Sequence, residues 1–280
     1  MQPLGVHTSI KSSLLNSIEE AVELGCNTFQ IFLHSPQVWQ IPEFDDTTTE
    51  EFKKQRKLNK LNPLFVHSSY LINLISSNPK TINSSKYLLK REVMAADNLE
   101  ADYYVIHLKD NKDMEKNEIF KKTFEGFNRI EDLKGCKILI ENTAKSKITA
   151  NITDLFETYE KVKTENIGGI CIDTCHLFAA GYDITKDEGI KRFIDEVQAY
   201  GDFSLIKLIH LNDSKAQVGA GIDRHEHIGK GYIGMEGFLN FLSIKELSHI
   251  PLILETPKKR LEDDRKNLNQ VRKILKKLRS

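Results

Sequence analysis

Six short apolar runs in this chain each finish on a side chain able to hold a metal ion. In order they are Phe65-Val66-His67, Val105-Ile106-His107, Ile138-Leu139-Ile140-Glu141, Ile170-Cys171-Ile172-Asp173, Leu208-Ile209-His210 and Leu252-Ile253-Leu254-Glu255. One such ending is commonly a hydrogen-bonded structural residue. Six in succession place imidazoles and carboxylates at a common rim. A second set, His176, Asp223 and His225, lies just beyond these endings. Imidazole and carboxylate are zinc ligands, and a catalytic zinc site keeps one position open for water or substrate. Two such ions roughly 3.5–4 Å apart can clamp phosphoryl oxygens during an in-line displacement. That arrangement needs a bridging carboxylate, and Glu141, in the middle of the series, is placed for it. Nine ligands suffice for more than one ion.

Such side chains need strands to carry them and helices to space the strands. The pattern predicts strands over Leu4–His7, Thr28–Leu33, Leu64–Val66, Tyr103–Ile106, Lys137–Ile140, Gly169–Ile172, Leu205–Ile209 and Pro251–Leu254. Helical spacing of apolar residues predicts helices near Ser12–Leu24, Thr49–Leu61, Ser84–Leu99, Glu115–Leu133, Ile152–Val162, Asp187–Tyr200 and Met235–Leu242, with a last one carrying Leu261, Leu268, Val271, Ile274, Leu275 and Leu278. The strands are continuous apolar runs, as expected when both sheet faces are covered. Strict alternation predicts a parallel α/β sheet, and eight repeats predict closure into a (β/α)8 TIM barrel whose chemistry sits at the C-terminal ends of the strands. The long Gly-rich stretch Asn212–Gly234 carries Asp223 and His225, and a loop of that length is usually functional.

A chain of 280 residues fits one such barrel, typically ~250 residues, and no linker interrupts it, so a single domain over 1–280 is expected. The 40 Lys and Arg balance 40 Asp and Glu, which gives no basic excess of the kind that marks many nucleic-acid binders. A DNA substrate would have to be held by local charge, metal ions included. Cys26 and Cys136 follow glycines at helix-to-strand junctions, and Cys171 sits inside a strand, so the four cysteines read as reduced rather than as a disulfide framework. Cys175 is expected in a turn beyond Asp173, outside a shared thiolate site. The start, Met1-Gln2-Pro3-Leu4-Gly5, has no signal-peptide pattern, and no apolar run approaches ~18 residues, so a cytoplasmic protein with no membrane partner is expected.

Several blocks resemble the endonuclease IV family of zinc-dependent apurinic/apyrimidinic endonucleases. They are His67-Ser68-Ser69-Tyr70-Leu71-Ile72-Asn73-Leu74, Glu141-Asn142-Thr143-Ala144, Cys171-Ile172-Asp173-Thr174-Cys175-His176, Phe178-Ala179-Ala180-Gly181-Tyr182-Asp183, His210-Leu211-Asn212-Asp213-Ser214-Lys215, Asp223-Arg224-His225 and Leu254-Glu255-Thr256-Pro257. The resemblance implies three zinc ions: one on His67, His107 and Glu141, a second on Glu141, Asp173, His210 and Glu255, and a third on His176, Asp223 and His225. It also implies base-excision repair. Double-stranded DNA containing an abasic site would be cut 5′ to the lesion, leaving a 3′-hydroxyl and a 5′-deoxyribose phosphate, and 3′-blocking groups would be trimmed. Glu141 and Glu255 would be catalytic as well as ligating, Tyr70 would match the intercalating tyrosine, and Gln37 would stand where family members insert an arginine, beside Trp39. A monomer is expected.

The chain departs from the family in its DNA-facing loops. His107-Leu108-Lys109 replaces His-Pro-Gly, Lys145-Ser146-Lys147 replaces a Gly-rich turn, and Lys11-Ser12-Ser13 replaces a glycine pair. The added lysines are open to two readings, phosphate contacts or solvated loop charges. Gln37 lacks the charge and planar fork of arginine. Two rivals stand beside the nuclease: a sugar isomerase or epimerase on the same barrel, using one or two divalent metals, and a non-catalytic binder of damaged DNA. His7 and His34, also at strand ends, are open between support for the ligands and plain structure, and His227 and His249 read as incidental.

Overall fold

A computed structural model describes residues 2–130 and 133–279. Its eight parallel strands are β1 (Leu4–Val6), β2 (Phe29–Ile31), β3 (Leu64–His67), β4 (Tyr103–His107), β5 (Lys137–Glu141), β6 (Ile167–Asp173), β7 (Ile206–His210) and β10 (Leu252–Leu254). They form one sheet in the order β1-β10-β7-β6-β5-β4-β3-β2. The two ends of that order meet where His7 bridges Gln30 and Thr8 N–H donates to the Gln30 carbonyl at 2.8 Å. The expected TIM barrel is therefore present, and the four cysteines are free and buried.

Helices α1 (Leu14–Glu23), α2 (Asp46–Leu58), α3 (Pro79–Asn98), α4 (Lys116–Phe127), α5 (Ile152–Val162), α7 (Asp187–Tyr200), α8 (Gly234–Leu242) and α9 (Leu261–Lys277) separate or follow the strands. Their starts are set by capping chemistry. Ser13 accepts from Asn16 N–H, Asp45 from Thr48 N–H and Asn78 from Lys80 N–H, each satisfying an orphan helix donor. Two of those caps lengthen the helices beyond the apolar pattern. α2 starts at Asp46 rather than Thr49, and α3 starts at Pro79 rather than Ser84, with proline in the first turn, where its missing N–H costs nothing. α4 ends at Phe127 rather than Leu133; the expected extension runs into residues 131 and 132, which lie outside the described residues.

One helix and two short strands lie outside the predicted pattern. A short helix, α6 (Thr174–Ala179), starts directly at the end of β6, so Cys175 and His176 lie on a helix rather than in a turn. Within the long Gly-rich stretch, β8 (Asp213–Ser214) and β9 (His225–Glu226) pair antiparallel. Among the described residues no helix is long and apolar enough to cross a membrane.

The barrel interior explains the register of the rim. Phe65, Val105, Leu139, Cys171, Leu208 and Ile253, all fully buried, form one cluster at the barrel centre. Each stands two residues before a ligand candidate: His67, His107, Glu141, Asp173, His210 and Glu255. Strand side chains alternate with period 2, so the candidates form the next layer up on the same inward face. The apolar layer closes the barrel floor and leaves the polar layer at its mouth.

Candidate metal centre

The nine candidates converge. Ligand atoms of His67, His107 and Glu141 lie within 4.8 Å of one another, as do those of Glu141, Asp173, His210 and Glu255, and those of His176, Asp223 and His225. Glu141 belongs to two of the groups. Its Oε2 is 2.9 Å from His107 Nε2 and 3.4 Å from His67 Nε2, while its Oε1 is 3.0 Å from His210 Nδ1. In the third group, His176 Nε2 and His225 Nε2 stand 3.2 and 3.4 Å from Asp223 Oδ1. Asp173 links the groups, its Oδ2 being 3.6 Å from His225 Nε2. Six of the candidates, with Ser68, Ser69, Tyr70 and Lys109, line a cavity of about 190 Å³ at this mouth.

Hydrogen bonds on the far sides of the rings set which nitrogen faces inward. His67, His176 and His225 each donate from Nδ1 to a backbone carbonyl, of Ser68, Asn142 and Glu255 respectively, at 2.9, 3.0 and 3.0 Å. Their Nε2 lone pairs are left toward the centre. His210 is turned the other way. Its Nε2 meets Gln30 Oε1 at 2.9 Å, so Nδ1 presents the lone pair to Glu141 and to Glu255 Oε2, 3.4 Å away.

The carboxylates are held with equal care. Gln30 Nε2 donates to Glu255 Oε1 at 2.6 Å. Asn212 donates from Nδ2 to Asp173 Oδ2 at 2.6 Å and accepts from Glu255 N–H at 2.8 Å. Asn142 Oδ1 accepts from Asp173 N–H at 2.6 Å. Asp173 also caps α6 by accepting from His176 N–H at 2.9 Å, which fixes His176 relative to the strand end. His7 lies beside this web, 3.0 Å from Gln30 and 3.5 Å from Glu255, whereas His34 turns away to Glu92. His227 contacts Asn267.

This donor set suits zinc. Bonds of about 2.1 Å in a tetrahedron put neighbouring ligand atoms about 3.4 Å apart. The measured separations within the three groups include 3.2 and 3.4 Å. Buried Glu141 Oε2, despite His107 Nε2 at 2.9 Å, and buried His225 Nε2 make no well-aligned hydrogen bond, which leaves strong ligand atoms facing the space between the groups. The imidazoles and carboxylates also shift one another's titration. Burial opposes charging, yet Asp173, Asp223 and Glu141 lift His176 well above its ordinary pKa, and Cys171, Glu141 and Glu255 do the same for His210. Burial likewise opposes ionising Glu141 and Glu255, but His107 and His210 hold Glu141, and His210, His7 and His67 hold Glu255, well below the usual carboxylate range.

The sequence reading missed Gln30, Asn142 and Asn212. Each is fully buried, and a polar residue inside an otherwise apolar run such as Phe29-Gln30-Ile31 was the available signal, because a buried amide must find partners. The lysines of the altered loops divide. Lys109 lines the mouth. Lys147 donates from Nζ to the carbonyls of Asn111, Lys112 and Met114, so its charge is spent on the neighbouring loop. Tyr70 is 52% exposed at the rim, its ring edge-on to Phe32 with centroids 5.6 Å apart. Gln37 lies in the loop after β2, exposed beside Trp39.

A parallel barrel with a metal-capable mouth defines a broad class, and the model of the xylose isomerase-like TIM barrel family matches residues 18–279. Narrower likeness comes from relatives. A protein of Sulfurihydrogenibium sp. (strain YO3AOP1) named "Probable endonuclease 4" is 37% identical over 281 residues, covering 99% of this chain and 100% of that protein. The crystal structure of endonuclease IV from Thermus thermophilus superposes with a TM-score of 0.86 at 29% identity, covering 98% of this chain and 99% of that one. A D-tagatose 3-epimerase-like protein has a TM-score of 0.73 at 20% identity and coverages of 99% and 98%, which is a likeness of fold alone. The chain belongs to the endonuclease IV family.

Proposed function

We propose that this protein is a zinc-dependent DNA-repair endonuclease that hydrolyses the phosphodiester bond 5′ to an abasic site in double-stranded DNA, leaving a 3′-hydroxyl and a 5′-deoxyribose phosphate. The observation that carries the reading is the convergence of nine imidazole and carboxylate groups on one mouth in three groups of ligand spacing. Full-length likeness to proteins named endonuclease 4 supports the substrate class. The barrel is taken as one domain, acting as a monomer in the cytoplasm, and the same centre would trim 3′-blocking groups.

His67, His107 and Glu141 would hold one zinc ion, Glu141, Asp173, His210 and Glu255 a second, and His176, Asp223 and His225 a third. When bound, zinc supplies Lewis acidity: it activates water and neutralises charge on phosphoryl oxygens. Glu141 spans two groups with one carboxylate, Oε2 toward His67 and His107 and Oε1 toward His210, and so fixes their separation. Glu255 offers Oε2 inward while Gln30 occupies Oε1, which turns one oxygen to the mouth, where it would ligate and orient the attacking water. The apolar layer beneath closes the barrel and confines water to the mouth. Tyr70 stands at the rim, where its ring can enter the gap left by a missing base, and Gln37 would make a polar contact with the strand.

A sugar epimerase shares the barrel, but one or two metals would leave the group of His176, Asp223 and His225 without a task. The test is incision of a duplex carrying a single stable abasic analogue, with and without chelator. Cutting 5′ to the analogue that chelator abolishes is expected. An intact duplex after incubation with zinc-loaded protein would overturn the reading.

A further inference from the structure

Behind the mouth lies a buried carboxylate that no ligand group uses. Glu92, on α3, is 1% exposed. Its Oε1 meets His34 Nε2 at 2.7 Å, and its Oε2 accepts from Ser69 N–H at 3.1 Å and from the Tyr104 hydroxyl. These donors come from three places: His34 from the β2–α2 loop, Ser69 from the β3–α3 loop and Tyr104 from β4. The two loops are also joined directly. The Pro36 carbonyl accepts from Ser69 Oγ at 2.9 Å and from Tyr70 N–H at 3.1 Å. Just past Pro36 the first loop exposes Val38 and Trp39, 47% and 42% exposed, and just past Ser69 the second exposes Tyr70. Exposed aromatics on a rim are costly in water unless a partner covers them, and aromatic faces are what an unstacked nucleic acid offers to meet.

We infer that Glu92 is a positioning residue, which through His34 and Ser69 fastens the β2–α2 and β3–α3 loops into one wedge presenting Gln37, Trp39 and Tyr70 to DNA. Its use for DNA rests on the nuclease reading above; the fastening itself does not. A neutral side chain at 92 would leave buried donors on both loops without a charged acceptor, and only the bonds to the Pro36 carbonyl would still tie the loops, so the first loop would move more freely. Rigid loops bind tighter because less motion is lost on binding. The carboxylate therefore acts on how well the wedge is formed; because the Ser68–Ser69 peptide it holds also accepts from His67, the variants at His34, which meets Glu92 and no ligand group, isolate the fastening.

The chain has one tryptophan, Trp39, so its fluorescence reports on the first loop alone. We would measure acrylamide quenching of DNA-free protein for His34→Ala, His34→Gln, Glu92→Gln and Tyr104→Phe. His34→Ala and Glu92→Gln should raise the quenching constant, by up to roughly twofold as the loop is freed. His34→Gln, which keeps a donor at similar reach, should restore it, and Tyr104→Phe, which removes a hydrogen bond donated to the same carboxylate without touching the β2–α2 loop, should leave it alone. On a duplex with one abasic analogue, His34→Ala should raise KM about tenfold, equivalent to about 1.4 kcal/mol, with kcat and bound zinc as in the parent. Unchanged quenching in His34→Ala and Glu92→Gln, or equal effects from Tyr104→Phe, would overturn the fastening. Raised quenching with unchanged KM would overturn its use for DNA. If the parent protein does not incise at all, the nuclease reading fails, and the quenching series still decides whether Glu92 fastens the loops.

Discussion

Replacing Gln30 with methionine tests how far the metal centre depends on a residue that holds no metal. Gln30 is fully buried on β2 and contacts Glu255, His210 and His7 at 2.6, 2.9 and 3.0 Å. Methionine keeps the volume and removes the polar contacts. Glu255 then loses the donor that restrains Oε1, and His210 loses the acceptor that keeps its proton on Nε2 and its lone pair on Nδ1. A hydrogen bond to a charged group contributes about 1.5–3 kcal/mol, and removing the outer partner of a ligand commonly costs 10–100-fold in metal affinity or activity. We therefore expect zinc affinity at the Glu255–His210 group to fall about 30-fold, with incision at limiting zinc falling in step. Competition against a chromophoric chelator gives the affinity, a gel-based incision assay gives the rate, and circular dichroism checks the fold. Zinc affinity and incision both within about twofold of the parent, in a folded variant, would refute the reasoning that Gln30 sets the ligand geometry.

Glu255→Gln should fold normally and lose at least about 100-fold in kcat, because the amide neither orients the attacking water nor ligates as a carboxylate does; undiminished cutting contradicts its role. Zinc uptake should release protons and strengthen as pH rises through the raised His176 and His210 values, because both rings must deprotonate to ligate; calorimetry in two buffers of different ionisation enthalpy measures this, and pH-independent uptake without proton release contradicts it. The same shifts make the metal-free fold lose the imidazolium contribution as pH climbs through the raised histidine values, and the carboxylate contribution as pH falls through the lowered Glu141 and Glu255 values. Lys109→Ala should lower the salt dependence of DNA binding by about one phosphate contact, whereas Lys147→Ala should lower thermal stability and leave the salt slope alone; the reverse pattern would misplace both lysines. Gly5→Ala should destabilise the barrel by several kcal/mol or prevent folding, because an added Cβ would lie 1.9 Å from the Thr28 carbonyl oxygen; thermal melting decides it.

The barrel and the inward direction of its ligands were legible because the same period-2 rule governs both. An apolar residue that fills the barrel and a ligand two positions later belong to one face, and this recurs from Phe65 and His67 through to Ile253 and Glu255. What stayed hidden depends on contacts between segments far apart in the chain. Gln30 reaches His210 across 180 positions, and Glu92 reaches His34 across 58. α6 escaped notice because its cap, Asp173, reads first as a strand end. Lys109 and Lys147 are chemically alike, and only the loop carbonyls around Lys147 separate their tasks.

The most direct measurement is the metal content of the folded protein, with anomalous diffraction at the zinc edge to place each ion. Three zinc ions per chain, bridged at Glu141 and with one on His176, Asp223 and His225, are predicted. A single ion, or a group of His176, Asp223 and His225 that stays empty at saturating zinc, would contradict the account.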